Sequence, residues 1–506
     1  MEEFSVAARS SVAVDTIAQS LLNTSATDAV GCCYFKSFLS LCLSAELLLW
    51  ANFHFSKNTM KHLFIKVNVI ALILLLLATP GCKEYNKNYQ QEANNPEFMH
   101  AGIRRITDII RHDIFAPPIS ARIYAYSAIA GYEAMVPGFP EYQSLAGQLN
   151  GLKPCPQPEA GKEYCFPLAG ANAMLTVDKQ LVFSEGEIQD LKEKIFDDFT
   201  KMNMPPDVYK RSMEYGDAVA KHILAWSKTD NYAQTRSAPK FTIDTKEPSR
   251  WRPTPPMYAD ALEPHWPEIR PWVIDSATQF KSDPPVAFST AKGSDFYKQA
   301  YEVYEIVKAQ DTTQIATAWY WDDNPFAMEV SGHLSFGKKK ISPGGHWMNI
   351  TAHACRKANA DIMRSAETYV KVACALADGF IVCWSEKYRS NLIRPESYIN
   401  QYIDPDWAPL IQTPPFPEHT SGHSTISAAA ATVLTNLYGD NFSFSDSTEM
   451  EFGIPPRTYK SFYEASDEVG LSRLYGGIHY RRGNEAGMKC GREVGKYVFD
   501  KVKTKK

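Results

Sequence analysis

From Phe98 onward the apolar residues of this chain recur at helical spacing, and no strand-like alternation persists. Ile103, Ile106, Ile109 and Ile110 fall on one helix face. Pro117-Pro118 interrupts the run, and Ile123, Tyr124, Tyr126, Ile129, Tyr132 and Met135 resume it. The same spacing predicts helices near 184–202, 206–227, 294–309, 311–322, 346–379, 422–438 and 485–502. Ser184 with Glu187 reads as a capping box for the first of these. Each such helix must bury an apolar stripe against another helix. The fold class is therefore all-α, a helical bundle with long ordered loops.

Two connections are long. Residues 137–166 are rich in Pro and Gly. Residues 229–292 carry Trp251, Pro253, Pro255, Pro256, Pro264, Trp266, Pro267, Pro271 and Trp272. That is too much large apolar surface for a disordered linker, so this stretch is predicted to lie ordered over the core. Residues 98–506 thus read as one domain. The net charge of -4 gives no basic excess to suit nucleic acid. No nucleotide cofactor is expected.

The N-terminal part reads as an address. Residues 69–78 are a short apolar run, preceded by Lys61 and Lys66 and followed by Thr79-Pro80-Gly81-Cys82. The run is too short to span a bilayer comfortably, and the order of basic, apolar and small residues is that of an export signal. Residues 60–82 therefore read as a lipoprotein-type signal, with Cys82 as the acylated residue and the chain held at a membrane on the exported side. Residues 83–97 read as a polar tether, and residues 1–59 as an upstream translation artefact or a removed extension. Export permits disulfides. Cys155 and Cys165 flank a loop and are either bonded across it or two free thiols.

Three segments near the C-terminus carry candidate chemistry. In Lys387-Tyr388-Arg389-Ser390-Asn391-Leu392-Ile393-Arg394-Pro395, two cations stand seven residues apart, nearly one helix face, and Pro395 places Arg394 at a helix end. In Pro417-Glu418-His419-Thr420-Ser421-Gly422-His423, the motif runs into an Ala-rich helix-former. Ser421, Gly422 and His423 are therefore predicted at a helix N-terminus, where free N–H groups and the dipole favour an anion. In Ser472-Arg473-Leu474-Tyr475-Gly476-Gly477-Ile478-His479, the two glycines predict a turn that brings Arg473 and His479 together.

This order of motifs over residues 384–479 resembles the signature of the vanadium-dependent haloperoxidase and type 2 phosphatidic acid phosphatase superfamily, of bacterial exported type. The resemblance implies the helical bundle of that family, with an oxyanion site within 384–484. It implies that Lys387, Arg394, Ser421, Gly422 and Arg473 hold the oxygens of vanadate, or of phosphate in the same cage. It makes His479 the vanadium ligand, or the nucleophile of a phosphatase, and His423 the acid–base group. Trp384, Pro414 and Phe416 resemble a halide pocket.

Three activities follow from that resemblance. A haloperoxidase would use vanadate-bound peroxide to oxidise halide to hypohalous acid, and Trp384 and Phe416 favour it. An exported acid phosphatase would cleave phosphate monoesters through a phosphohistidine. A non-catalytic oxyanion-binding protein is the third. One departure bears on the first two: the family's Asp four residues after the apical His is Gly483 here, followed by Asn484. Asn484, Asp322 or Asp323 is then expected to support the His479 ring.

Overall fold

The computed structural model describes residues 84–325 and 327–506. The signal segment with Cys82, and residues 1–59, lie outside the described residues. Tyr85–Lys506 form one compact unit. It begins with α1 (Tyr89–Ala93), α2 (Glu97–His112), α3 (Pro117–Met135), α4 (Phe166–Leu181), α5 (Glu185–Lys201) and α6 (Pro206–Ser227). A short α7 (Tyr232–Ser237) interrupts the long connection. Then follow α8 (Asp295–Lys308), α9 (Thr312–Tyr320), α10 (Pro343–Lys357), α11 (Ile362–Ser390), α12 (Pro395–Tyr402), α13 (Gly422–Tyr438), α14 (Phe462–Tyr475) and α15 (Arg481–Lys501). Two antiparallel strand pairs, β1 (Met328–Ser331) with β2 (Leu334–Gly337) and β3 (Phe444–Asp446) with β4 (Arg457–Tyr459), are the named sheets among the described residues. Among those residues no helix is long and apolar enough to cross a membrane.

The centre is built from helices with no wet face. Every residue of α3 is buried, and α11 is buried along nearly all its length. A helix apolar all round belongs inside a large core. The Trp-rich connection lies over it as expected. Trp251, Trp266 and Trp272 are fully buried, and the Asp378 carboxylate of α11 accepts the backbone N–H groups of Trp272, Val273 and Ile274 at 2.8–3.0 Å.

Several sequence expectations need correction. The single helix expected over 346–379 is two. α10 ends at Lys357, and Asp361 starts α11 by accepting from Arg364 N. Ser184 makes no side-chain cap bond, because its hydroxyl donates to Asp113 instead. The tether is not free: Tyr89 and Ala93 are buried, and Tyr89 Oη donates to Glu163. α4, α12 and α14 were not foreseen. Cys155 and Cys165 are buried free thiols.

The helix pair that carries the site is held by glycine. Gly487, Gly491 and Gly495 form a stripe on α15 that lies against α13. A Cβ at Gly491 would lie 2.0 Å from Thr425 O, and one at Gly495 would lie 2.4 Å from Ala429 O. Only hydrogen fits at that crossing. Gly491→Ala gains about 1 kcal/mol of helix propensity, but a Cβ pressed on backbone forces the helices apart at the upper end of overpacking costs, about 3 kcal/mol, so the net effect is a loss of about 2 kcal/mol. Thermal denaturation should show a lower midpoint for this variant. A midpoint equal to that of the parent would refute the close crossing.

Candidate active site

The three segments converge, though not by the route their spacing implied. Lys387 sits on the last turn of α11. The helix stops at Ser390, and Asn391 turns the chain in the left-handed region (φ 48°). Arg394 is extended (φ -78°, ψ 154°) just before α12, as Pro395 demands. The two cations therefore do not share a helix face. A chain reversal brings both onto the loop that precedes α13. Lys387 Nζ donates to Pro417 O and Glu418 O, both at 3.0 Å. Arg394 Nε donates to Phe416 O at 2.8 Å, and Nη1 donates to Ile478 O at 2.9 Å.

That loop delivers the N-terminus of α13. Ser421 is its cap, and its Oγ accepts from Ser424 N at 3.3 Å and from Ser424 Oγ at 2.9 Å. Two accepted bonds leave its hydroxyl proton to donate. Gly422 opens the helix, and a Cβ there would sit in ordinary contact with Trp384 at 3.4 Å. Arg473 lies in the last turn of α14, with Nη2 donating to Trp321 O at 2.5 Å. Gly477, at φ 79°, then reverses the chain so that His479 faces Arg394. His479 Nε2 lies 3.1 Å from Arg394 Nη1.

The support of the His479 ring is the residue that the sequence reading missed. Glu418, fully buried, accepts from His479 Nδ1 at 2.8 Å and from Tyr480 N at 3.1 Å. None of the three expected substitutes does this. Asn484 accepts from Ser424 Oγ, Asp322 pairs with Lys340, and Asp323 pairs with His346. Gly483 explains the exchange. A Cβ at that position would lie 2.3 Å from Glu418 Oε1. The carboxylate enters from the motif's own Glu, and the position four residues after His479 is glycine to admit it. The signal was in the sequence: an acid in the Ser-Gly-His segment, and a glycine where the resemblance leads one to expect an acid.

Charge is what sets this place apart. Lys387, Arg394 and Arg473 are buried, with at most 1% exposure. Glu418 stands beside Lys387 and Arg394, and Asp322 and Asp323 stand near Arg473. Burial drives Lys387 down to about 7 and Arg394 down to about 10, and lowers Arg473. Burial also lifts Glu418 to about 7, against the pull of Arg394 and Lys387. His479 and His423 are both held well below the usual imidazole range, first by burial and then by the neighbouring cations, so both rings are neutral. Arg394 Nη2 and His423 Nε2 are buried without a partner among protein atoms. Such a cage fits a small, multiply charged oxyanion. It offers guanidinium forks, an ammonium and a helix N-terminus.

Trp384, Pro414, Phe416, Gly422, His423, Arg473 and His479 line one cavity. Lys387 and Arg394 lie behind its aromatic wall, 4.8 Å and 5.0 Å from the Phe416 ring centre. The Trp384 and Phe416 rings pack at 5.0 Å. Of the residues singled out from the motifs and the aromatic pocket, seven line this space, Lys387 and Arg394 stand behind Phe416, and Ser421 caps the helix that Gly422 opens.

Glu418 and Gly483 are expected to be coupled. Gly483→Asp alone crowds Glu418, and Glu418→Gly alone strands the His479 Nδ1–H. In the double variant the carboxylate returns from the other side. Chemical denaturation of the four proteins should give a favourable coupling of about 0.5–3 kcal/mol. Additive losses would show that the two positions do not share one carboxylate space.

The family model for the VCPO second helical-bundle domain matches residues 367–505. No curated protein matches the chain. Among solved structures, the fold is similar to that of a bacterial vanadium-dependent chloroperoxidase. In its holo form that protein is 14% identical, with a TM-score of 0.57, over 77% of this chain and 93% of that one. Its apo form gives 14% and 0.58. At that identity only the fold is shared. A bacterial vanadium-dependent iodoperoxidase is 48% identical, with a TM-score of 0.77, over 81% of this chain and 97% of that one. With nearly half of its residues in common along almost the whole of that iodoperoxidase, this chain belongs to the vanadium-dependent haloperoxidase family.

Proposed function

We propose that this protein is a vanadium-dependent haloperoxidase that takes vanadate as cofactor, and hydrogen peroxide and halide as substrates. One observation carries the reading: Arg473 and two neutral imidazoles line a single cavity with an aromatic wall, and two further buried cations, Lys387 and Arg394, stand directly behind that wall. Bound vanadate supplies a Lewis-acidic centre at which peroxide is activated toward a halide. The chain's own residues do the rest.

Arg394 and Arg473 supply fixed positive charge to the oxyanion, Lys387, drawn down to about 7, adds charge when protonated, and the Ser421 hydroxyl and the α13 N-terminus add donors. Glu418 holds the proton of His479 on Nδ1, so Nε2, which accepts from Arg394 Nη1 at 3.1 Å, is the nitrogen that would bind a metal once that donor turned to the oxyanion. His423, with Nε2 unpartnered, is placed to accept and return a proton at that atom. Trp384, Pro414 and Phe416 keep water from the halide and provide a polarisable wall. Iodide is the halide to test first, since the 48% identical relative is an iodoperoxidase.

The alternative is an exported acid phosphatase working through His479, for which a neutral, carboxylate-oriented imidazole would also serve. Purified protein with vanadate, peroxide and iodide should oxidise the halide, and with p-nitrophenyl phosphate it should be nearly silent. His479→Ala should abolish turnover together with bound vanadium. Lys387→Ala should lower kcat by about 10²–10³. Phosphate release that vanadate inhibits, without halide oxidation, would move the assignment to the phosphatase.

We further propose that the chain is exported and anchored through acylated Cys82. The supports are the apolar run 69–78, its basic flank and the Cys at its boundary. Labelled palmitate should enter the protein in cells and be lost in Cys82→Ser. Equal labelling of the two would end this proposal.

A further inference from the structure

Next to the cage, and outside it, an imidazole is surrounded by carboxylates. His346 on α10 is fully buried. Its Nδ1 lies 3.0 Å from Asp323 Oδ1 and 3.8 Å from Glu449 Oε1. Its Nε2 lies 2.7 Å from Asp446 Oδ2. Asp446 is itself fixed, accepting from Tyr320 Oη at 2.8 Å and from Thr448 N at 3.0 Å. Trp321 stacks on the ring with centroids 4.5 Å apart and fixes its plane. All three acids are buried, with at most 4% exposure. Even an imidazolium leaves this group two negative charges in excess when the three acids are ionised. Glu449 Oε1 has no hydrogen-bond partner.

We propose that Asp323, His346 and Glu449 bind one divalent transition-metal ion, with Zn²⁺ as the ion best suited to the set. Donor chemistry fits: one imidazole nitrogen and two carboxylates are ordinary zinc ligands, and a fourth position remains for water. Geometry fits as well. The three ligand atoms lie within 4.8 Å of one another. A tetrahedral zinc places its ligand atoms about 3.4 Å apart. The separations of 3.0 and 3.8 Å from His346 Nδ1 straddle that value. Turning the Glu449 carboxylate, whose Oε1 no hydrogen bond holds, closes the set.

The surroundings are those of a ligating histidine. Asp446 takes the Nε2–H, which leaves Nδ1 as the ligand atom and orients the ring. On binding, the metal takes the Nδ1 lone pair, and both the proton shared with Asp323 and the one that burial favours on Glu449 leave to solvent. The Nε2–H bond to Asp446 stays intact. Asp323 lines the cavity that also holds His423 and Arg473, which provides an entry path. The ion would join three separate elements: the segment after α9, α10, and the turn at Thr448–Phe452.

The test uses untagged, full-length protein treated with chelator and kept free of vanadate. Titration with ZnCl₂ should give one ion per chain with a Kd below about 10 µM and release of protons. The melting midpoint should rise with zinc and fall again with EDTA. Glu449→Gln preserves shape and should weaken zinc at least about tenfold. His479→Ala should bind zinc as the parent does, which separates this site from the oxyanion cage. Absence of one-to-one binding, or a Glu449→Gln protein that binds equally well, would overturn the proposal. Neither result would bear on halide oxidation.

Discussion

Buried positive charge is the constraint around which the C-terminal part of the fold is arranged. Removing Lys387, Arg394 and Arg473 from water is costly, and Glu418 stands beside the first two. The cost is met in part by backbone. Pro417 O and Glu418 O take the ammonium, Phe416 O and Ile478 O take one guanidinium, and Trp321 O takes the other. Each of these carbonyls belongs to a loop, so the cations fix the loops as much as the loops fix the cations. What remains without a partner is Arg394 Nη2, beside the ring of His479.

The rigid frame comes from the least reactive residues. Glycines on α15 let it approach α13 until backbone meets backbone. That closeness determines where the α13 N-terminus points and where the 476–480 turn can run. The Ser421 N–H donates to Gly483 O at 3.0 Å, which ties the two helix starts together. An anion site built on helix ends needs such a frame, because dipole and free N–H groups act only over the first turn.

Much of this was legible in the sequence, and the misses have physical causes. Gly422, His423, Arg473 and His479 share a cavity with Trp384, Pro414 and Phe416, as the motif order implied. The all-α class followed from helical spacing, yet α4 escaped notice. Its residues are buried on nearly every side, so it shows little of the one-sided pattern that marks a surface helix. The break between α10 and α11 also escaped, since Asp361 acts through a local cap that apolar spacing does not register. Lys387 and Arg394 were correctly paired for the wrong reason. A seven-residue interval suits one helix face, but Asn391 ends the helix and a reversal does the work instead. Glu418 was passed over because its partner is 61 residues away, and only the structure shows that it fills the space over Gly483.

The two imidazoles show how one cationic cage can divide its labour. A carboxylate at 2.8 Å would ordinarily raise a histidine toward the charged form. His479 stays neutral because burial and the charges of Arg394, Lys387 and Arg473 outweigh Glu418. Glu418 therefore orients the ring without charging it, and both its nitrogens are engaged, by Glu418 and by Arg394. His423 is neutral for the same reasons but has no carboxylate on it, and its Nε2 is unpartnered. A ring whose Nδ1–H is fixed by a carboxylate suits a ligand through Nε2, and a ring with one idle nitrogen suits proton exchange. The division of roles thus rests on which nitrogen is already engaged, since the electrostatic setting of the two rings is nearly the same.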